Sequence, residues 1–170
     1  LSEVQIDELL PHGGPMSLLD AVTSVSTDTI ACESLSHQRK DNPLREDGSL
    51  HAVNLVEYAA QAMALHFAFL SGATLTGVVA EDALPMPDRA APDRDPAGPA
   101  PRMSIAALRN LWFTGRDLAE VGGTITINAR RQSHLDRGAI YEFVVSTAAP
   151  GPGLGGERLA SGQITLIAAA

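Results

Sequence analysis

Glu57 is the only charged residue in a long apolar stretch, residues 52–71 (AVNLVEYAAQAMALHFAFLS). Asn54, Glu57 and Gln61 follow one another at helical spacing and share one face if the stretch is a helix. A carboxylate on a mostly buried helix is expensive unless it is paired or used, and proton transfer is the use that fits an acid there. The plainer alternative is a solvent-facing first-turn acid that complements the helix dipole. His51 directly precedes the stretch, and an imidazole gains and loses a proton near neutral pH. The unpaired N–H groups of residues 52–54 point out of the helix start. At Ala52 and Val53 they could polarise a carbonyl oxygen, as an oxyanion hole does. A thioester carbonyl placed there, with Glu57 one turn further in, would be set up for reaction.

The other chemistry-bearing residues are scattered. His12 sits in a constrained Pro-His-Gly-Gly turn, His37 at a strand end, His66 within the helical stretch and His134 in a turn. None has the spacing of a metal site, and no metal or cofactor is expected. No GxSxG, P-loop or post-strand GxGxxG occurs. Cys32, the single cysteine, lies in a strand-like segment and reads as a small buried residue rather than a nucleophile.

The elements that would position Glu57 are legible in outline. Residues 3–10 read as a short amphipathic helix stopped by Pro11. Residues 16–26 and 29–37 read as strands around a turn at Asp28. Residues 52–71 lack Pro and Gly and are rich in Ala, Leu and Met, which predicts a helix buried on most sides. Six prolines between Pro85 and Pro101 mark residues 81–102 as an insertion rather than core. Four strands are then expected, at 103–113, 123–131, 139–147 and 158–168. Ile125, Ile127 and Ala129 would line one face of the second, and Ile164 and Leu166 one face of the last. Strands grouped in this way, instead of alternating with helices, imply an α+β fold with an antiparallel sheet.

Size and charge narrow the function. The chain has 170 residues, suited to a single domain, 1–170, with one core. Its net charge of −8 argues against non-specific nucleic-acid binding and mildly against an acidic partner, unless Arg39, Lys40 and Arg45 cluster. No apolar run is long enough to span a bilayer, and no signal peptide is read, so a cytoplasmic location is expected.

Four segments together resemble the β-hydroxyacyl-acyl-carrier-protein dehydratases. Leu10-Pro11-His12-Gly13-Gly14-Pro15-Met16-Ser17-Leu18-Leu19-Asp20-Ala21-Val22 is similar to that family's opening LPHRxPxLLxDRV. Val56-Glu57-Tyr58-Ala59-Ala60-Gln61-Ala62 resembles its helix pattern IExxAQ. Leu108-Arg109-Asn110-Leu111-Trp112-Phe113 and Ala160-Ser161-Gly162-Gln163-Ile164 resemble core strands. Asp41-Asn42-Pro43 and the stretch from Leu50 to Glu57 point to the divergent branch of aryl polyene-type lipid pathways.

The resemblance implies a hotdog fold, a long central helix wrapped by an antiparallel sheet, and a homodimer with its site between subunits. It implies loss of water from a 3-hydroxyacyl thioester carried on acyl carrier protein or coenzyme A, with Glu57 as the catalytic carboxylate and Gln61 orienting it. His12 matches a position usually read as structural and is counted with Ala52, Val53 and Gln61 on the substrate side. The family's usual histidine, in HFPG fourteen residues before the acid, is replaced by Pro43. Its glycine near the helix start is replaced by Ala52, and the basic residues of its opening motif by Gly13 and Ala21. His51 is then the remaining candidate for the second acid/base. Hydrolysis of the thioester, or a non-catalytic acyl-binding subunit, are the alternatives.

Overall fold

A computed structural model describes residues 6, 14–71, 79–80, 103–148 and 156–168. The segments 3–10 and 81–102 and the residue His12 therefore lie wholly or mostly outside the described residues. Ile6 is helical and fully buried.

The apolar stretch forms the α-helix Leu55–Leu70 (α1), preceded by a single 3₁₀ turn, Ala52–Asn54. It buries Leu55, Val56, Tyr58, Ala59, Gln61, Ala62, Met63, Leu65, His66 and Ala68. That set goes most of the way round the helix, as the sequence implies. Each fully buried Leu or Met contributes about 1.5–3 kcal/mol, and no one-sided partner could cover so many.

The partner is one curved sheet. Its strands are β1 (Ala21–Val25), β2 (Thr29–Ser34), β3 (Val79–Ala80), β4 (Met103–Phe113), β5 (Ile125–Leu135), β6 (Gly138–Thr147) and β7 (Arg158–Ala168). The order across the sheet is β3-β1-β2-β5-β6-β7-β4. Every pairing is antiparallel except the two-residue contact of β3 with β1. α1 packs on β2, β5 and β6 and reaches β7. Ile125, Ile127, Ala129, Phe143, Val145, Ile164 and Leu166 face it and are buried. This is the α+β, hotdog arrangement that the resemblance implies.

Several boundaries differ from the sequence reading. The first two strands are shorter than 16–26 and 29–37, because 17–20 is irregular and 36–38 is a 3₁₀ turn. There the chain leaves the ladder to bond side chains: the Ser34 and Ser36 hydroxyls both reach the Leu18 carbonyl, at 2.6 and 2.7 Å. β5 runs on to Leu135, and β4 and β7 fall on 103–113 and 158–168. At the Asp28 turn, Ser26 Oγ accepts the N–H of Asp28 and of Thr29. Cys32 is buried in β2, where burial pushes its thiol pKa up and makes it a poor nucleophile.

β4 is a sheet edge with an unusual surface. Ile105 and Leu108 stand opposite Leu166 and Ile164 and so lie on the helix side, yet they are 40% and 42% exposed. α1 packs on β2, β5, β6 and β7, and β4 lies outside its main contacts.

Gly138 begins β6 where only glycine fits. A Cβ there would lie 2.0 Å from the Leu166 carbonyl oxygen. Gly138→Ala is expected to destabilise the protein by about 3 kcal/mol in denaturant unfolding, by forcing β6 and β7 apart.

Candidate functional site

The Glu57 carboxylate is partly exposed on the first turn of α1. One turn on, Gln61 is 6% exposed and fully engaged. Its Oε1 accepts the Leu18 N–H at 3.0 Å, and its Nε2 donates to the Met16 carbonyl at 2.8 Å and to Glu57 Oε1 at 3.1 Å. The Leu18 N–H can only donate and the Met16 carbonyl can only accept. The amide's orientation is thereby fixed, and an N–H must face Glu57. Glu57 Oε1 is held as an acceptor, and Oε2 is left for another partner.

The segment entering the helix is equally well tied. Asn54 Nδ2 donates to the Leu44 carbonyl at 3.1 Å. Asn42 Nδ2 bonds both the Ser36 carbonyl and the Tyr58 hydroxyl, each at 2.9 Å, so Asn42 of the Asp41-Asn42-Pro43 sequence fastens this loop to α1. Ala52 is buried and Val53 is 55% exposed. Among the described residues no hydrogen bond occupies the N–H groups of either one. They remain free to meet a carbonyl oxygen.

The basic trio does not form an open patch. Arg39 pairs with Asp20 at 2.6 Å, and Arg45 donates to the carbonyls of Arg39, Gly48 and His37. Both arginines serve the loop.

The histidines separate clearly. His66 is fully buried; its Nε2 faces the Ser26 carbonyl at 2.9 Å and its Nδ1 the Tyr141 hydroxyl at 2.8 Å. Nε2 must therefore carry the proton, and Tyr141 donates to Nδ1. Burial also raises the Tyr141 pKa to about 12, which keeps that donor in place. His37 is buried too, its Nε2 against the Val121 carbonyl at 3.1 Å and its Nδ1 without a partner. Burial, the largest cause in each case, lowers both imidazole pKa values from the ordinary range. His51, by contrast, is exposed at the helix start. No hydrogen bond or ion pair joins it to Glu57, and the 3₁₀ turn and the first residues of α1 set them about 10 Å apart along the axis. No cluster of metal-ligating side chains occurs among the described residues.

Sequence reasoning passed over Asp117. Its Oδ1 accepts the N–H groups of Leu50 and Ala119, both at 2.9 Å. It thus anchors the residue before His51. Nothing in sequence places residue 117 beside residue 50.

Residues 4–75 match the family model of ApeP-like proteins, described as ApeP dehydratase. No curated protein matches in sequence. The fold is a hotdog fold. The Xenorhabdus doucetiae dehydratase heterocomplex ApeI:P superposes with a TM-score of 0.64 at 19% identity, covering 97% of this chain and 91% of that one. A zebra fish thioesterase superfamily member 2 gives 0.57 at 13% identity, with 99% of each chain covered. A hypothetical thioesterase from Streptococcus pneumoniae TIGR4, solved with coenzyme A, gives 0.53 at 7%, covering 88% and 85%. The resemblance read from the sequence is borne out: the likeness is to the divergent, ApeP-like branch of hotdog dehydratases. No helix among the described residues is long and apolar enough to cross a membrane.

Two outcomes follow from these bonds. Gln61→Met would leave the buried Leu18 N–H unpaired, an expected loss of about 1–3 kcal/mol by denaturant titration. His37 and His66 are held neutral in the folded chain, whereas an unfolded imidazole titrates near about 6.5. Their stabilisation is present above that pH and is lost as pH falls through it toward the lower folded pKa. The unfolding midpoint should drop between pH 7.5 and 5, and His66→Gln should flatten the drop.

Proposed function

We propose that this chain acts on an acyl thioester, removing water from a 3-hydroxyacyl group carried on acyl carrier protein. One observation carries the reading: a helix carboxylate, Glu57, fixed through Oε1 by a fully bonded Gln61 and open at Oε2. In the reaction Glu57 moves a proton between the substrate and the site. The N–H groups of Ala52 and Val53 hold the thioester oxygen as charge develops on it. His51 supplies the second acid/base function, and His12 and Gln61 border the substrate. The carbon–oxygen bond at C3 breaks with loss of a C2 proton, and the thioester stays intact. No cofactor is required. Coenzyme A is the alternative carrier.

The position of His51 bears on assembly. Five residues, the 3₁₀ turn and the first two of α1, separate it from Glu57 in the same chain, so its partner carboxylate would come from a second copy. The open β4 edge, with Ile105, Leu108, Leu111 and Trp112 exposed, suits antiparallel pairing with that copy. A second reading is favoured by the same separation. The chain would then be a non-catalytic acyl-binding subunit beside an active hotdog partner, and the heterocomplex named for the Xenorhabdus structure supports that possibility.

Intact-mass spectrometry of 3-hydroxyacyl carrier protein tests the proposal. Wild type should remove one water, and Glu57→Gln should lower the rate by about 10²–10⁴-fold. Release of free thiol would instead mean thioester hydrolysis. Unchanged substrate with retained acyl binding would mean the non-catalytic subunit.

A further inference from the structure

Leu18 is held at both of its backbone groups. Its N–H donates to Gln61 Oε1, and its carbonyl accepts two buried hydroxyls, Ser34 Oγ at 2.6 Å and Ser36 Oγ at 2.7 Å. Ser36 Oγ also lies 2.9 Å from the Tyr58 hydroxyl, which lies 2.9 Å from Asn42 Nδ2. A hydroxyl has one hydrogen, and a carbonyl can only accept. Each serine therefore gives its hydrogen to Leu18, the Tyr58 O–H donates to Ser36 Oγ, and Asn42 Nδ2 donates to Tyr58. The bonds run from Asn42 through Tyr58 and Ser36 to Leu18, and Gln61 carries the link on to Glu57 Oε1.

Ser34, Ser36, Asn42, Tyr58 and Gln61 are all buried. Burial, the largest cause, raises the Tyr58 pKa, so the phenol keeps its hydrogen. A phenylalanine at 58 would fill the same space and need none of these partners. A buried network with its members bonded fixes their geometry. One end of this network is the carboxylate on which the site depends. The other end, Asn42, accepts the Leu44 N–H at Oδ1, and the Leu44 carbonyl accepts Asn54 Nδ2 at the helix start.

We propose that Tyr58 is a positioning residue for Glu57: its hydroxyl, through Ser36, fixes the Leu18 backbone against which Gln61 sets the carboxylate. Tyr58 does not touch substrate and exchanges no proton with it. The proposal rests on the reading of Glu57 as the group that moves a proton.

Tyr58→Phe keeps the ring and removes only the hydroxyl. Tyr141→Phe is the control, since it strips another buried hydroxyl from its bond, to His66, outside this network. Both Nε2 hydrogens of Gln61 are bonded, so hydrogen exchange read by nitrogen-15 NMR should find them protected in wild type. Tyr58→Phe should speed their exchange at least about tenfold relative to Tyr141→Phe. In turnover of 3-hydroxyacyl carrier protein, Tyr58→Phe should lower kcat about tenfold with KM little changed, and Tyr141→Phe should not. Added to Gln61→Met, Tyr58→Phe should lower kcat no further. Ser36→Ala should act as Tyr58→Phe does, and it stands in if that variant fails to fold. Equal Gln61 exchange in the two tyrosine variants overturns the proposal whatever the activity. An unchanged kcat in an active enzyme, or additive losses with Gln61→Met, overturns it too. Gln61 exchange released by Tyr58→Phe, in a protein that turns over no acyl thioester, supports the positioning and overturns the functional reading instead.

Discussion

The structure depends on one constraint: α1 is buried on every side except a single stripe, Glu57, Ala60, Ala64 and Phe67, that is only partly covered. Ten of its sixteen residues are buried, and they take up about two thirds of its circumference. A chain of 170 residues can meet that demand only by wrapping a sheet around the helix. The long strands β5, β6 and β7 do so, and their inward residues alternate with outward ones that are mostly polar, Val144 and Ile167 being exposed apolar exceptions. The same constraint fixes where polar chemistry is possible. Inside the wrap, a hydroxyl or imidazole must be bonded or it costs about 1–3 kcal/mol. Tyr58 is met by Ser36 and Asn42, and His66 by Tyr141 and the Ser26 carbonyl.

What remains open is at the helix start. There the first N–H groups have no intrahelical acceptor, and Glu57 retains a carboxylate oxygen beyond its bond to Gln61. Gln61 links the two environments. It satisfies the backbone of the Met16–Leu18 segment on one side and holds the carboxylate on the other. A single amide thus serves both packing and site, which explains why these roles cannot be separated by its removal alone. The bonds of His37 and His66 withdraw them from chemistry and leave the exposed His51 as the imidazole nearest the helix start in sequence.

Much of the fold was legible because burial leaves a pattern. The helix announced itself by an apolar run without Pro or Gly, and β7 by the inward Ile164 and Leu166. The pattern fails where burial fails. β5 continues past Arg131 to Leu135, where residues on both faces are largely exposed, so alternation disappears and nothing in the sequence marks the end of the strand. The flanks of β1 and β2 look like strand in sequence, yet their small residues bond through side chains rather than through the ladder. β3, with two residues, carries no period at all. In the site, the Glu57–Gln61 pair was legible since i, i+4 neighbours meet on any helix. Asp117 was not, because its contact with Leu50 spans 67 residues and exists only once the turn after β4 closes on the helix start.

The central claim is that Glu57, oriented by Gln61, moves a proton at an acyl thioester. The most direct measurement runs the reaction backward, incubating the 2-enoyl thioester in deuterium oxide and locating the label by mass spectrometry. The account predicts hydration with one deuterium at C2 for wild type and none for Glu57→Gln. Equal labelling by the two proteins would contradict it.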